Sequence, residues 1–161
     1  ANYLQGYNFY KKKDYANSVS YFSKAVSSLR TDANITNKNN ILPDALIRLA
    51  DGYFMQKQYK QSAQYYEEVI KSNALGADYA LYQKSIIDGL GGNYNDKIAG
   101  MKALVARFPN SAFADDAIMQ TGNTYMAQEK DEIGKIYSEI ESIEGKIGSL
   151  QNELKHLKAK L

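Results

Sequence analysis

Few side chains in this sequence have the chemistry of catalysis or metal binding, and those few stand apart from one another. Cysteine is absent, so the chain has no thiol nucleophile, no thiolate ligand and no disulfide. The single histidine, His156, falls at an outward position of a heptad and reads as a solvated surface residue. Asp115 and Asp116 form an acidic pair, but at a helix start such residues cap the helix and favour its dipole. Glu67 and Glu68 are adjacent on a helix and so do not face each other. Gly89-Leu90-Gly91-Gly92 is rich in glycine but lacks the Lys-Ser/Thr that a phosphate cradle needs, and it reads as a turn. No nucleophile–base pair and no metal-ligand set emerges. The expectation is a protein that is not an enzyme and has no cofactor and no metal.

Bulk properties narrow the partners. The formal net charge is +2, and the densest basic run is Lys11-Lys12-Lys13, which reads as a solvated turn. A nucleic-acid surface needs a basic stripe along one face, so no nucleic-acid partner is expected. The chain is 44% apolar and 24% charged over 161 residues, which is enough apolar material for a continuous core. No apolar run reaches the roughly 18 residues of a membrane span. The start at Ala1, without Met, reads as that of a trimmed or mature chain. None of this fixes the compartment.

Repetition is the stronger signal. Gly6, Phe9, Tyr15, Ser18, Phe22 and Ala25 recur as Ala50, Tyr53, Tyr59, Ser62, Tyr66 and Val69. A weaker third copy runs Ser85, Tyr94, Met101, Leu104 and Phe108-Pro109, and a fourth opens with Gly122 and Tyr125. The small residue lets two helices approach closely, and the aromatics fill the space between them. Turns are expected at Lys13-Asp14, Lys57-Gln58 and Gly92-Asn93, and a long loop at 28–43, rich in asparagine and ending at Pro43. Asp88 and Lys97 break the pattern in the third copy, so that copy is expected to pack loosely or be tilted.

With Tyr15, Tyr59 and Tyr94 spaced 44 and 35 residues apart, the first 130 residues resemble the tetratricopeptide (TPR) repeat family, whose period is about 34. The joint from Arg107 to Ala117 resembles those of bacterial periplasmic TPR proteins. The resemblance implies repeats near 1–27, 44–73, 78–109 and 112–140. It also implies a concave groove for an apolar helix or peptide, lined by Tyr3, Tyr7 and Tyr10 in the first repeat and by Ile47, Arg48, Asp51 and Phe54 in the second. Tyr82 and Ile86 would follow from the third repeat, and Met119, Asn123 and Met126 from the fourth. The clamp of Lys, Arg and Asn with which some members hold chaperone tails is missing here, apart from Arg48 and Asn123.

The tail obeys another rule. Ile133, Ile136, Ile140, Ile143, Ile147, Leu150, Leu154, Leu157 and Leu161 are spaced by alternating threes and fours, a heptad with an apolar residue at every seam position. Residues 131–161 therefore read as a long coiled-coil helix. Its seam from Ile140 through Ile143, Ile147, Leu150, Leu154 and Leu157 to Leu161 is expected to join copies of the chain. Isoleucine at both seam positions favours three copies, whereas five acids in 131–144 against four lysines in 145–161 favour an antiparallel two. The abrupt change of pattern fits a natural protein and an engineered fusion equally.

The sequence thus predicts an all-α fold, a TPR-type helical-hairpin solenoid of about eight helices that continues into a long C-terminal coiled-coil helix. The expected function is a non-enzymatic protein-interaction scaffold that oligomerises through its tail. The alternative is a periplasmic adaptor that works through the groove.

Overall fold

A computed structural model of the chain describes residues 1–31 and 38–160. It is all helical among these residues, in the order α1 (Asn2–Lys11), α2 (Tyr15–Thr31), α3 (Lys38–Met55), α4 (Tyr59–Ser72), α5 (Ala77–Leu90), α6 (Tyr94–Arg107) and α7 (Ala114–Lys158). The chain divides into two compact units, Ala1–Gly122 and Asn123–Leu161.

Within the first unit each helix from α1 to α6 packs on the next in sequence. The repeating residues do the packing. Phe22, Tyr66, Met101 and Leu104 are fully buried at equivalent depths of successive hairpins. Gly6 has no room for a side chain, because a Cβ there would lie 2.9 Å from the Phe22 ring. Ser18 and Ser62 each donate their hydroxyl to a carbonyl twelve residues earlier, on Gly6 and Ala50, at 3.0 and 2.9 Å. The small residue and the serine thus form one contact used twice. Phe9 stacks on Tyr21, and Tyr53 stacks on Tyr65, with interplanar angles of 12° and 2°.

Three turns also share one geometry. Lys13, Lys57 and Gly92 have positive φ. Their N–H groups donate to the carbonyls three residues back, on Tyr10, Phe54 and Gly89, while the following residues donate five back, to Phe9, Tyr53 and Asp88. These bonds satisfy carbonyls at the helix end and reverse the chain. In the first two hairpins an aromatic pair seals the turn, Tyr10 with Tyr15 and Phe54 with Tyr59.

The structure departs from the expected loop at 28–43. Helix α2 runs to Thr31 and α3 begins at Lys38, with 32–37 outside the described residues. Ser28 and Thr31 return their hydroxyls to the carbonyls of Lys24 and Ser27, so these polar side chains are accommodated within the helix. Pro43 lies inside α3 and is buried. It is close enough to the helix start that its missing N–H leaves one early carbonyl, that of Asn39, without a helical partner.

The third hairpin is not loosely packed. Asp88, which replaces an aromatic, pairs with Lys84 at 3.0 Å. Lys97 lays its stem against Gly89 and donates to Gln120 Oε1 at 2.9 Å. The long lysine stem substitutes for the missing ring, as amphipathic side chains can.

Helix α7 replaces the expected seventh and eighth helices with one of 45 residues. The reason is local. Glu129 stands where Lys57 makes the turn, and Asp131 where Tyr59 seals it. Gln128, Glu129 and Lys130 are good helix formers, and at 131 no ring is present to close a turn as Tyr15 and Tyr59 do. The second unit contains the rest of this helix. Its seam residues from Ile133 to Leu157 are all exposed, Ile147 at 48%.

Candidate peptide-binding face

Helix α3 carries Asp44, Arg48 and Asp51 at i, i+4 and i+7, a spacing that puts all three on one face. The neighbouring helices supply phenols to this row. Tyr3 and Tyr7 of α1 both donate to Asp44 Oδ2, at 2.5 and 2.6 Å. Tyr66 of α4 and Tyr79 of α5 both donate to Asp51 Oδ1, at 2.5 and 2.9 Å. Arg48 links the two carboxylates. It donates to Asp51 Oδ2 at 2.9 Å, lies 3.5 Å from Asp44 Oδ1, and also donates to the Tyr7 hydroxyl at 3.0 Å.

This network binds three hairpins and is electrostatically tense. Asp51 is only 4% exposed. Burial pushes its carboxyl above the usual range, while the Tyr66 and Tyr79 hydroxyls and the Arg48 charge pull it back. Burial also raises Tyr3, Tyr7, Tyr66 and Tyr79, and the adjacent carboxylates raise them further, so these phenols stay protonated and act as donors. Farther along, Tyr82 donates to Asp116 and stacks on Phe113. Its hydroxyl is pushed up to about 12 by burial and by Asp116. Every group in the row is a donor or acceptor already engaged, without a nucleophile, and among the described residues no three His, Cys, Asp or Glu side chains gather as metal ligands. The arrangement can position and bind.

Of the expected groove residues, the structure joins Tyr3, Tyr7, Arg48 and Asp51 in the network, and Tyr10, Asp51 and Phe54 around one small pocket. Tyr82 and Ile86 are half-buried against the core. Met119 is exposed. Asn123 and Met126 belong to the second unit and are exposed there. Two assignments need correction: Ile47 and Asp51 are buried, at 6% and 4%, and present little surface to a partner. Both face the neighbouring hairpins, where the chain needs core and a buried acceptor. The sequence reading missed Asp44, Tyr66 and Tyr79. The Asp-x-x-x-Arg-x-x-Asp spacing from Asp44 to Asp51 was the available signal. Arg48 is engaged within the chain by Tyr7, Asp44 and Asp51.

Comparison with known proteins agrees with this architecture. The fold is a tetratricopeptide-type array of helical hairpins, as two solved structures show. The C-terminal TPR-containing domain of an FK506-binding protein from Plasmodium falciparum superposes with a TM-score of 0.65 at 16% identity, over 81% of this chain and 88% of that one. The TPR domain of Arabidopsis OM64 superposes with a TM-score of 0.60 at 14% identity, over 76% of this chain and 92% of that one. In sequence, residues 44–74 match the tetratricopeptide repeat family, and these are the α3–α4 hairpin that holds Arg48, Asp51 and Tyr66. No curated protein sequence matches the chain.

Proposed function

We propose that the protein is a non-enzymatic assembly scaffold, in which a TPR-type block offers a partner-binding face and the C-terminal helix joins copies of the chain into a dimer or trimer. The observation that carries the proposal is the seam. Ile140, Ile143, Ile147, Leu150, Leu154 and Leu157 keep strict heptad spacing and are all exposed. Burying such a side chain fully is worth about 1.5–3 kcal/mol, and pairing with like helices gains this for every seam position at once. Leu161 would extend the seam but lies outside the described residues.

A second reading is a bacterial periplasmic adaptor that acts through its binding face alone. The Arg107–Ala117 joint and the half-buried rings of Tyr7, Phe54 and Tyr82 favour it. One experiment separates the two. Light scattering on the full chain at micromolar concentration should give two or three times the chain mass. Replacing Ile147 and Leu154 with Asp should return it to one, with the helical signal of the block retained, because charge at a buried seam is strongly disfavoured. A monomeric parent chain would overturn the scaffold reading in favour of the adaptor.

A further inference from the structure

We propose that the pocket walled by Tyr10, Phe54 and Tyr79 and floored by Asp51 receives an ammonium group, in the natural setting that of a lysine side chain from the bound partner. This rests on the reading of the first unit as a partner-binding face and names what that face selects.

The pocket holds about 130 Å³ and is built from four helices. Tyr10 comes from α1, Asp51, Phe54 and Met55 from α3, Tyr66 from α4, and Tyr79 and Gln83 from α5. Four of these seven side chains are aromatic. The faces of aromatic rings carry negative quadrupole density and attract cations, most strongly where water is excluded. The floor adds the carboxyl of Asp51, 4% exposed, whose oxygens already accept from Tyr66, Tyr79 and Arg48.

Charge bookkeeping gives the sign. The α3 row contains two acidic side chains, Asp44 and Asp51, and one guanidinium, Arg48, which lies 2.9 Å from Asp51 and 3.5 Å from Asp44, so acids outnumber bases by one along the row as a whole. The phenols that bond to the carboxylates are neutral donors and leave that excess unchanged. Arg48 lines the neighbouring cleft together with Asp44 and Tyr79, and does not line this pocket. The pocket's own lining contains no Lys or Arg. An anion would meet aromatic faces and a carboxyl, with no Lys or Arg in the lining to receive it. A purely apolar group would cover a charged cluster and gain little from it. A cation gains from both the rings and the carboxylate, and Gln83 can accept a hydrogen bond from it through its amide oxygen.

The test uses choline and its neutral isostere 3,3-dimethyl-1-butanol, which share shape and differ in charge. Each is titrated into the full chain while tyrosine and phenylalanine ring resonances are followed by NMR. Choline should saturate in the millimolar range and bind at least about tenfold more tightly than the alcohol. Gln83→Lys places a competing ammonium at the half-buried rim without touching the Asp51 bonds, and should abolish choline binding while the helical signal is unchanged. Phe54→Ala should weaken it severalfold. Equal binding of the two compounds would show an apolar pocket and overturn the proposal, and so would the absence of binding by both. Light scattering on the same samples reports the assembly reading separately, so an oligomer that ignores choline refutes the pocket alone.

Discussion

The repeat block and the tail are both helical, yet they treat glycine and isoleucine in opposite ways. In the block, a methyl at Gly6 would strike the Phe22 ring, and one at Gly100 would come within 2.0 Å of Ser85 Oγ. In the tail, methyls at Gly134, Gly145 and Gly148 would meet nothing within 4 Å. In the block, Leu49 and Val69 are buried, whereas in the tail every described Ile and Leu of the seam, from Ile133 to Leu157, is exposed. The block has spent its apolar residues on its own neighbouring helices. The tail leaves its described apolar stripe exposed, the surface that the proposed pairing would cover. A helical pattern alone therefore does not say whether a segment completes its own core, and the surroundings of its small residues do.

This contrast can be broken at several points. The largest effect is expected from Phe22→Ala, which empties the space under Tyr3, Tyr7 and Gly6. It should cost the block about 3–5 kcal/mol in denaturant unfolding. A loss well below that would mean the first hairpin contributes little to the array. Glycine substitutions come next and should split by region. Gly6→Ala should destabilise by about 1–3 kcal/mol through overpacking. Gly145→Ala and Gly148→Ala should each stabilise the tail helix by about 1 kcal/mol. Thermal melts that shift in the same direction for both regions would erase the distinction.

A smaller effect should appear at high pH. The folded block raises several phenols, with Tyr82 at about 12, whereas an unfolded chain releases such protons near the ordinary tyrosine value of about 10. The stabilisation is therefore complete below pH of about 10 and is lost as pH rises through the raised values. Absorbance of phenolate should lag behind that of the urea-unfolded chain, and Tyr82→Phe should remove one equivalent from the late part of the titration. Superimposable curves for folded and unfolded chain would contradict the network. The smallest effect is expected at exposed His156 in the tail. Its replacement by Ala should leave both mass and melting unchanged, and a metal-dependent shift in mass lost in that variant would contradict the reading of a solvated residue.

Much of the fold was legible because close contacts impose residue type. Gly6 and Ala50, Ser18 and Ser62, Phe22 and Tyr66 recur at fixed offsets because one inter-helix contact was built twice. The helical boundaries were less legible. The polar stretch from 28 to 43 reads as loop, but Ser28 and Thr31 satisfy their hydroxyls on helix carbonyls. The missing aromatic at Asp131 did mark the absent turn, although its meaning, one helix in place of two, needed the structure. The binding face was only partly legible. Positions carried over from the resemblance find helices α1, α3 and α5, but the resemblance does not show that Asp51 faces inward to two tyrosines of other helices. Bonds between Asp51 and residues fifteen and twenty-eight positions away leave no local pattern.

The sequential packing of α1 to α6 also has a mechanical consequence. A chain in which each helix leans only on its neighbours should yield to tension from its ends, one hairpin at a time, as a zipper does. The phenol–carboxylate bonds alter that picture, at two joints between hairpins and again where Tyr82 of α5 reaches Asp116 of α7. Tyr3 and Tyr7 are fastened across to Asp44, and Tyr79 to Asp51, so each bond ties one hairpin to the next and is loaded in shear when the array is stretched. These bolts sit on the face proposed above to receive a partner. A ligand seated over Asp51 would stiffen the spring at the joint where it is already fastened.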